Sequence, residues 1–115
     1  MSKRGSLEFL NDVHEAIKRI ETYVEKIDYE KFLLDIKTQD AVVRNLEIIG
    51  EAAKNISDEL KNKYSLVPWG DLAKVRDKLI HHYFGVNYDI VWDIIKEEFP
   101  KIVLLVEEIL NKETE

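Results

Sequence analysis

Apolar residues at helical spacing are the feature that most constrains how this chain folds. They recur every three or four positions from Leu7 to Ile27, which places them on one face of a helix. The same spacing returns from about Thr38 to Ile56, so a second long helix could lie antiparallel against the first. The 115 residues include only 4 Gly and 2 Pro, too few turn formers for a many-stranded fold. We therefore predict a single all-α domain over residues 1–115, an antiparallel helical bundle of about four to five helices.

Capping residues divide the chain further. Asp28 is placed to cap a short helix that comes directly after it, and Ser57 to cap another from Asp58 to Tyr64, because their side-chain oxygens can accept from first-turn amides. A longer helix is expected to start near Pro68 and to run to about His82.

Glycine and proline mark the remaining joints. Gly50 lies in the middle of the second long helix, where glycine costs about 1 kcal/mol relative to alanine, so we expect close packing there. Gly85 provides a turn, and Asn87 is then placed to cap the next helix. Pro100 marks a bend or restart before the last helix.

Composition excludes several classes of protein. The chain is 45% hydrophobic and 35% charged, too apolar for a disordered chain and too evenly charged for a membrane span. It has no Cys, which excludes disulfide scaffolds, cysteine-ligated zinc and thiol nucleophiles. The first residues are not followed by an uninterrupted apolar stretch, so we expect neither a signal peptide nor an anchor. These features favour a cytoplasmic protein with no membrane partner.

The net charge of -6 disfavours non-specific binding to a polyanion, so a role on nucleic acid requires a local positive site. The segment from Lys74 to Tyr83 offers one, since its three basic residues and one acidic residue give about +2. Within it, Arg76 presents a planar fork for phosphate oxygens, and His81 can accept and donate a proton near neutral pH. Together they suit metal-independent phosphodiester cleavage.

Two other interpretations of this segment remain open. Adjacent His81 and His82 near a helix C-terminus can simply complement the helix dipole, with Tyr83 as a packing residue. A zinc site is less favoured, because neighbouring histidines on a helix point about 100° apart and neither HExxH nor Cys is present. We expect no metal.

A continuous helix would keep Arg76 and His81 apart, by about 140° around the axis and about 7.5 Å along it. Either the helix ends before His81, or the site combines residues of two chains across a symmetric dimer interface. Arg76 and Tyr83, in contrast, would lie within about 20° of each other on the same face.

The run Arg76-x4-His81-x-Tyr83 resembles the motif of the HepT-like toxins, a minimal branch of the HEPN superfamily. The order of the flanking blocks is also similar to that family. These blocks are residues 44–53 (Arg-Asn-Leu-Glu-Ile-Ile-Gly-Glu-Ala-Ala), Val67-Pro68-Trp69, Trp92 and Phe99-Pro100. The resemblance covers nearly the whole chain, and the motif with its flanks is far more specific than an Arg-x4-His pair alone.

The resemblance implies a HEPN-like helical homodimer in which both copies of the motif face a shared cleft. It also implies a metal-independent endoribonuclease that needs no cofactor and leaves a 2',3'-cyclic phosphate on its RNA substrate. In that reaction Arg76 would stabilise the charge that builds on the phosphorane, and His81 would handle the proton of the ribose 2'-hydroxyl or of the leaving oxygen.

The same resemblance implies a partner. HepT-like toxins are paired with an MntA-like nucleotidyltransferase antitoxin, which silences the toxin by transferring AMP to the motif tyrosine, here Tyr83. The adduct would put negative charge and bulk beside a phosphate-binding cleft and so repel RNA.

Other polar residues could line such a cleft. Arg44, Glu47 and Glu51 are spaced to share one face of the second long helix, which favours a solvated stripe with weak ion pairs. Alternatively, Arg44, Asn45 or Glu51 lines the cleft and orients Arg76 or the RNA. Asn45, at the edge of the apolar stripe, is expected to be buried and hydrogen-bonded. With the neighbours of the motif included, the possible cleft residues are Arg44, Asn45, Glu51, Lys78 and His82.

Three large side chains are expected to be structural. His14 lies among ordinary surface charges, and Trp69 and Trp92 are expected to anchor the core rather than stack on bases. Two other functions remain open for the whole chain. One is a non-catalytic helical dimer that binds a nucleotide or a partner nucleotidyltransferase, which the acidic balance favours, and the other is a purely structural bundle.

Overall fold

Helices make up most of the fold. The computed structural model describes residues 5–81 and 85–114. The α-helices are α1 Ser6–Val24, α2 Tyr29–Leu34, α3 Ile36–Lys54, α4 Asp58–Lys63, α5 Trp69–Ala73, α6 Val75–Leu79, α7 Tyr88–Asp93 and α8 Phe99–Glu113. A π-helical turn, Ile94–Glu98, joins α7 to α8, and two short strands, β1 Ile80–His81 and β2 Gly85–Val86, come after α6. The predicted all-α class is confirmed, although the described residues hold eight separate α-helical segments rather than four or five.

The two long helices α1 and α3 pack along each other. Their shared seam is fully buried, with Ile17 and Ile49 at 0% exposure. The amide of Ser57, just beyond α3, donates to the hydroxyl oxygen of Ser6 at the start of α1 over 2.9 Å. The end of one helix therefore lies beside the beginning of the other, and the predicted antiparallel arrangement is confirmed.

The last helix, α8, packs against α1 and contributes to the same core. His14 on α1 and Glu107 on α8 are joined through Nε2 and Oε2 at 2.8 Å, so His14 has the structural role that was predicted for it. Lys63 and Tyr64 both donate to the carboxylate of Glu113. These contacts fix the end of α4 and the loop after it to the last turn of α8.

The predicted caps are confirmed. Side-chain oxygens accept from the amide three residues later at Asp28, Ser57 and Asn87. Asp35 is a cap that the periodicity did not indicate. It accepts from the amide of Thr38 at 3.0 Å, so α3 begins at Ile36 rather than at about Thr38.

The predicted helix from Pro68 to about His82 is wrong. It is divided at Lys74 into α5 and α6, and it ends at Leu79, while His82 lies outside the described residues. Ile80 and His81 instead form β1, which pairs antiparallel with β2 in the register Ile80 to Val86 and His81 to Gly85. The sequence from Ile80 onward is β-branched, histidine and aromatic, and these residues have low helix propensity and favour strands.

Pro100 acts at the joint where it was predicted. Gly85 was predicted to form a turn, and it is instead the first residue of β2, with a φ of +79° that residues with a Cβ rarely adopt. Pro100 comes after the π-helical turn, where the amide of Phe99 donates to the carbonyl of Ile94, five residues back. Because Pro100 lacks an amide proton and its ring crowds the carbonyl four residues earlier, the regular ladder is interrupted there. In the described ranges, no helix combines the length and apolar character that crossing a membrane requires.

Candidate active site

Gly50 lets the junction between α5 and α6 approach α3 closely. A Cβ added at Gly50 would lie 3.4 Å from the carbonyl oxygen of Ala73 and 3.7 Å from that of Leu72. The close packing predicted for this glycine is therefore confirmed. Since Glu47 lies one turn before Gly50 on α3, the same approach sets α6 beside Glu47.

Arg76 on α6 is the central cation of this surface. Its side chain is 52% exposed, its Nε lies 3.7 Å from Oε2 of Glu47, and its Nη1 lies 3.9 Å from Oδ1 of Asp77. Both distances exceed that of a direct hydrogen bond, so the contacts with these two described carboxylates are electrostatic. A phosphate could therefore engage the fork without first breaking a tight pair with either of them.

His81 lies two residues beyond the end of α6. Its backbone is extended in β1 and pairs with Gly85. Of the two arrangements that the sequence left open, the one in which the helix ends before His81 is confirmed. The helical separation of about 140° therefore does not apply to Arg76 and His81, and a contribution from a second chain remains a prediction.

The other residues of the motif segment are placed only in part. Lys78 belongs to α6, one residue before its end. His82 and Tyr83 lie outside the described residues, so their roles remain predictions. The structure thus brings the backbone of Arg76, Lys78 and His81 into one helix-to-strand transition.

The polar stripe of α3 is exposed except at Glu47. Arg44 and Glu51 are exposed, and Glu47 is partly buried. The partner of Glu47 across helices is Arg76. Sequence reasoning placed Glu47 in the stripe without singling it out, because the contact depends on how closely α6 approaches at Gly50. The sequence feature that could have indicated this contact is Gly50 in the middle of α3, one turn after Glu47.

Asn45 lies on the opposite side of α3. It is 4% exposed, and its Nδ2 donates to the carbonyl of Ala41 at 2.9 Å, so its predicted burial and hydrogen bonding are confirmed. Positions 45 and 47 are separated by about 160° around a helix. Asn45 therefore faces the core and not Arg76, and no described group donates to its buried Oδ1.

The two tryptophans belong to the apolar interior. Trp69 is buried, and its indole N–H donates to the carbonyl of Tyr64 at 3.0 Å. Trp92 is partly buried between Tyr29 and Phe32, with ring centroids 5.8 and 5.1 Å away. Their predicted role as anchors is confirmed.

Tyr88 extends this aromatic cluster toward α3. Its ring meets Phe32 edge to face at 5.7 Å, and burial, with a smaller contribution from Asp40, raises the pKa of its hydroxyl. The cluster fixes α7 against α2 directly after β2.

Among the side chains of residues 5–77 and 85–114, no three His, Asp or Glu are grouped closely enough to hold a metal ion. The acidic groups described beside Arg76 are Glu47 and Asp77. Among the described side chains, Arg76 therefore lies between two carboxylates, and this local charge alone does not explain how the surface would bind a polyanion.

Sequence comparisons with known proteins all indicate one family of ribonucleases. The sequence model of the family described as "Ribonuclease HepT-like" matches residues 13–109. The candidate RNase MJ0127 of Methanocaldococcus jannaschii is 47% identical over 96% of this chain and 92% of its own length. A protein named as a probable ribonuclease HepT, from Thermococcus cleftensis, is 48% identical over 87% of this chain and 91% of its own length. No solved structure matches the chain. The chain belongs to the HepT-like ribonuclease family.

Proposed function

We propose that this protein is a metal-independent endoribonuclease in which Arg76 and His81 act on one phosphodiester of RNA. The observation that carries the proposal is the half-exposed guanidinium of Arg76 on α6, which neither described carboxylate beside it holds in a short ion pair, five residues before a histidine whose backbone lies beyond the helix end. The family match extends across both residues. Relatives named as RNases support RNA as the substrate.

The reaction can be written from the chemistry of the two side chains. A neutral His81 takes the proton of the ribose 2'-hydroxyl as the 2'-oxygen attacks phosphorus. The O2'–P bond forms, the P–O5' bond breaks, and a proton returns to the 5'-oxygen. The products are a 2',3'-cyclic phosphate and a 5'-hydroxyl. Arg76 stabilises the negative charge on the phosphorane oxygens, which is greatest in the transition state.

A homodimer with a shared cleft forms part of the proposal. One protomer presents Arg76 between two carboxylates, and two copies of the motif facing each other would add a second set of cations to the same cleft. Light scattering should give twice the chain mass of 13.5 kDa. A monomer at micromolar concentration would contradict the composite site.

The proposed biological role is that of a toxin neutralised by an MntA-like nucleotidyltransferase antitoxin. The Tyr83 hydroxyl would attack the α-phosphate of ATP, release pyrophosphate and become AMPylated. Coexpression with an MntA-like nucleotidyltransferase should add AMP mass to the wild type and none to Tyr83→Phe. An unmodified wild type would remove this mode of control.

The catalytic assignment is tested with purified protein and RNA in excess chelator. Intact mass is checked first, so that modified Tyr83 is not mistaken for inactivity. We expect the wild type to leave cyclic phosphate ends and His81→Ala to lose at least about 100-fold in rate. His14→Ala is the matched control, because it removes a histidine whose described contact is with Glu107. Full activity of His81→Ala would show that the assignment is wrong.

The charge distribution supports a second candidate. The net charge of -6 and the two carboxylates beside Arg76 favour a dimer that binds a nucleotide or a partner nucleotidyltransferase without turnover. Calorimetry with AMP and ATP tests it. Tight binding, together with no RNA cleavage by an unmodified dimer, would select this function over the nuclease.

A further inference from the structure

We propose that Glu47 is a positioning residue, which holds the guanidinium of Arg76 in the orientation that meets a phosphate. The inference rests on the proposed nuclease function and adds a residue to its machinery. It starts from the contact between Oε2 of Glu47 and Nε of Arg76 at 3.7 Å, which joins two different elements, α3 and α6.

The atoms involved determine what the contact can do. Glu47 approaches Nε, the inner nitrogen of the guanidinium, and not the outer Nη groups that would meet an anion, of which Nη1 lies 3.9 Å from Oδ1 of Asp77. An arginine side chain rotates about several bonds, and a charge placed at Nε narrows the orientations of the planar fork. A fork that is already oriented loses less conformational freedom when it binds a phosphorane.

The two carboxylates beside Arg76 differ in what holds them. Asp77 is the next residue on the five-residue helix α6 and moves with Arg76, so it cannot fix Arg76 relative to the rest of the protein. Glu47 lies in the middle of α3, a 19-residue helix packed along α1. The approach at Gly50, one turn away, sets the spacing between α3 and the start of α6. Of the two carboxylates, Glu47 is therefore the one that can fix the position of the guanidinium relative to the long helices.

Positioning and binding have opposite signatures here. The carboxylate of Glu47 is negative and lies beside the place where RNA phosphate would bind, so it opposes substrate binding electrostatically. Removing its charge should leave KM unchanged or lower it. If Glu47 orients Arg76 for the transition state, the same change lowers kcat. The loss of a residue that bound RNA would instead raise KM.

Steady-state cleavage by Glu47→Gln and Glu47→Ala tests this split. We expect kcat to fall about 10-fold in both variants, with KM not raised and with Tm close to that of the wild type. Glu15→Gln and Glu15→Ala are matched controls, because Glu15 is an exposed glutamate in the middle of α1. A raised KM, or a kcat equal to that of the controls, would overturn the proposal.

A double-mutant cycle tests whether Glu47 acts through Arg76. In the Arg76→Ala background, Glu47→Ala should cause no further loss of kcat, since the group that it positions is gone. A further loss of about 10-fold in that background would show that Glu47 acts by another route and would overturn the proposal.

NMR of arginine side chains tests the contact between Glu47 and Arg76 in the absence of RNA. In protein labelled with ¹⁵N-arginine, the Nε–H signal of Arg76, assigned by its loss in Arg76→Lys, should be more restrained than that of exposed Arg44. It should become mobile in Glu47→Gln and stay restrained in Glu15→Gln. Unchanged mobility in Glu47→Gln would overturn the positioning role, whereas absence of cleavage by unmodified wild type would overturn the proposed function instead.

Discussion

The long helices and the site segment are built in different ways. The frame, α1, α3 and α8, consists of helices of 19, 19 and 15 residues whose apolar faces form one buried seam. The site segment, from Trp69 to Val86, consists in its described part of two five-residue helices and two strands of two residues each. Its central side chain, Arg76, is half-exposed and held by charge.

This difference assigns stability and chemistry to separate parts of one small fold. The frame gains its stability from apolar burial, which is insensitive to the detailed position of a polar group. Arg76 in the site segment is half-exposed, as its proposed contact with a substrate requires. The site segment is anchored to the frame at a few points, among them the approach at Gly50 and the buried side chain of Val75.

The largest expected effect tests where the stability resides. Ile49 is fully buried in the α1–α3 seam, so Ile49→Ala should lower the free energy of unfolding by about 2–5 kcal/mol. Arg76→Ala should change it by no more than about 0.5 kcal/mol, although it should strongly reduce the rate of cleavage. Urea denaturation of both variants measures the difference.

Ile36→Ala is the matched control for that truncation, because Ile36 is 71% exposed at the first turn of the same helix. Equal losses from Ile36→Ala and Ile49→Ala, or a loss of several kcal/mol from Arg76→Ala, would remove the distinction between frame and site.

The two helical glycines sharpen the comparison at the contact between the two parts. A side chain at Gly50 would meet backbone carbonyls of the site segment, whereas Gly70 in α5 has nothing within 4 Å of its added Cβ. Gly50→Leu should cost about 1–3 kcal/mol through overpacking, and it should lower cleavage because α6 is displaced from Glu47. Gly70→Ala should stabilise by up to about 1 kcal/mol. Thermal unfolding with parallel activity assays checks both. If Gly50→Leu changed neither stability nor cleavage, the close approach at Gly50 would not determine the position of α6.

Sequence reasoning succeeded where local signals and burial agree. The apolar spacing of the frame predicted both long helices and their antiparallel seam. Asp28, Ser57 and Asn87 cap helices because a side-chain oxygen ahead of a free first-turn amide is a local arrangement. Asp35 was missed because the apolar stripe becomes regular only after Thr38, while the cap lies before it.

The site segment could not be predicted in the same way. Apolar spacing through Leu72, Val75 and Leu79 suggested one helix, but five-residue helices have little cooperative stability of their own and depend on tertiary packing. The low helix propensity of the residues from Ile80 onward was visible in the sequence and was outweighed by the pattern before it. The contact of Glu47 with Arg76 joins residues 29 positions apart, and no local rule indicates such a pair.

The cap at Asn87 tests how firmly the site segment is joined to α7. Its Oδ1 accepts from the amide of Ile90 at 3.3 Å, directly after β2. Asn87→Ala should cost about 1 kcal/mol, and Asn87→Asp should retain the cap and the stability. Denaturation curves measure the cost. If Asn87→Ala is as stable as the wild type, the aromatic packing of Tyr88 alone holds the start of α7.

The smallest expected effect is a loss of stability at low pH, caused by protonation of Asp35 at the start of α3. The hydroxyl of Thr38, at 2.7 Å, and then its amide both donate to the carboxylate of Asp35, and these bonds lower the pKa of that carboxyl below its ordinary value of 3.8. The folded state therefore binds the proton more weakly than the unfolded state does. The stabilisation is fully present above about pH 3.8 and is lost as the pH falls through the folded pKa.

Asp35→Asn isolates that contribution, because asparagine also caps a helix but does not titrate. The wild type should be slightly more stable than Asp35→Asn near neutral pH, and the gap in Tm should close as the pH falls from about 5 to 2.5. Thr38→Val removes the stronger donor and leaves the amide, so it should reduce the pH dependence without abolishing it. Parallel Tm curves for wild type and Asp35→Asn would contradict the assignment. Tm curves that converge at low pH would assign this titration to Asp35, at the start of a frame helix. Charge changes at Glu47 and Arg76, in contrast, should alter the chemistry with little effect on folding.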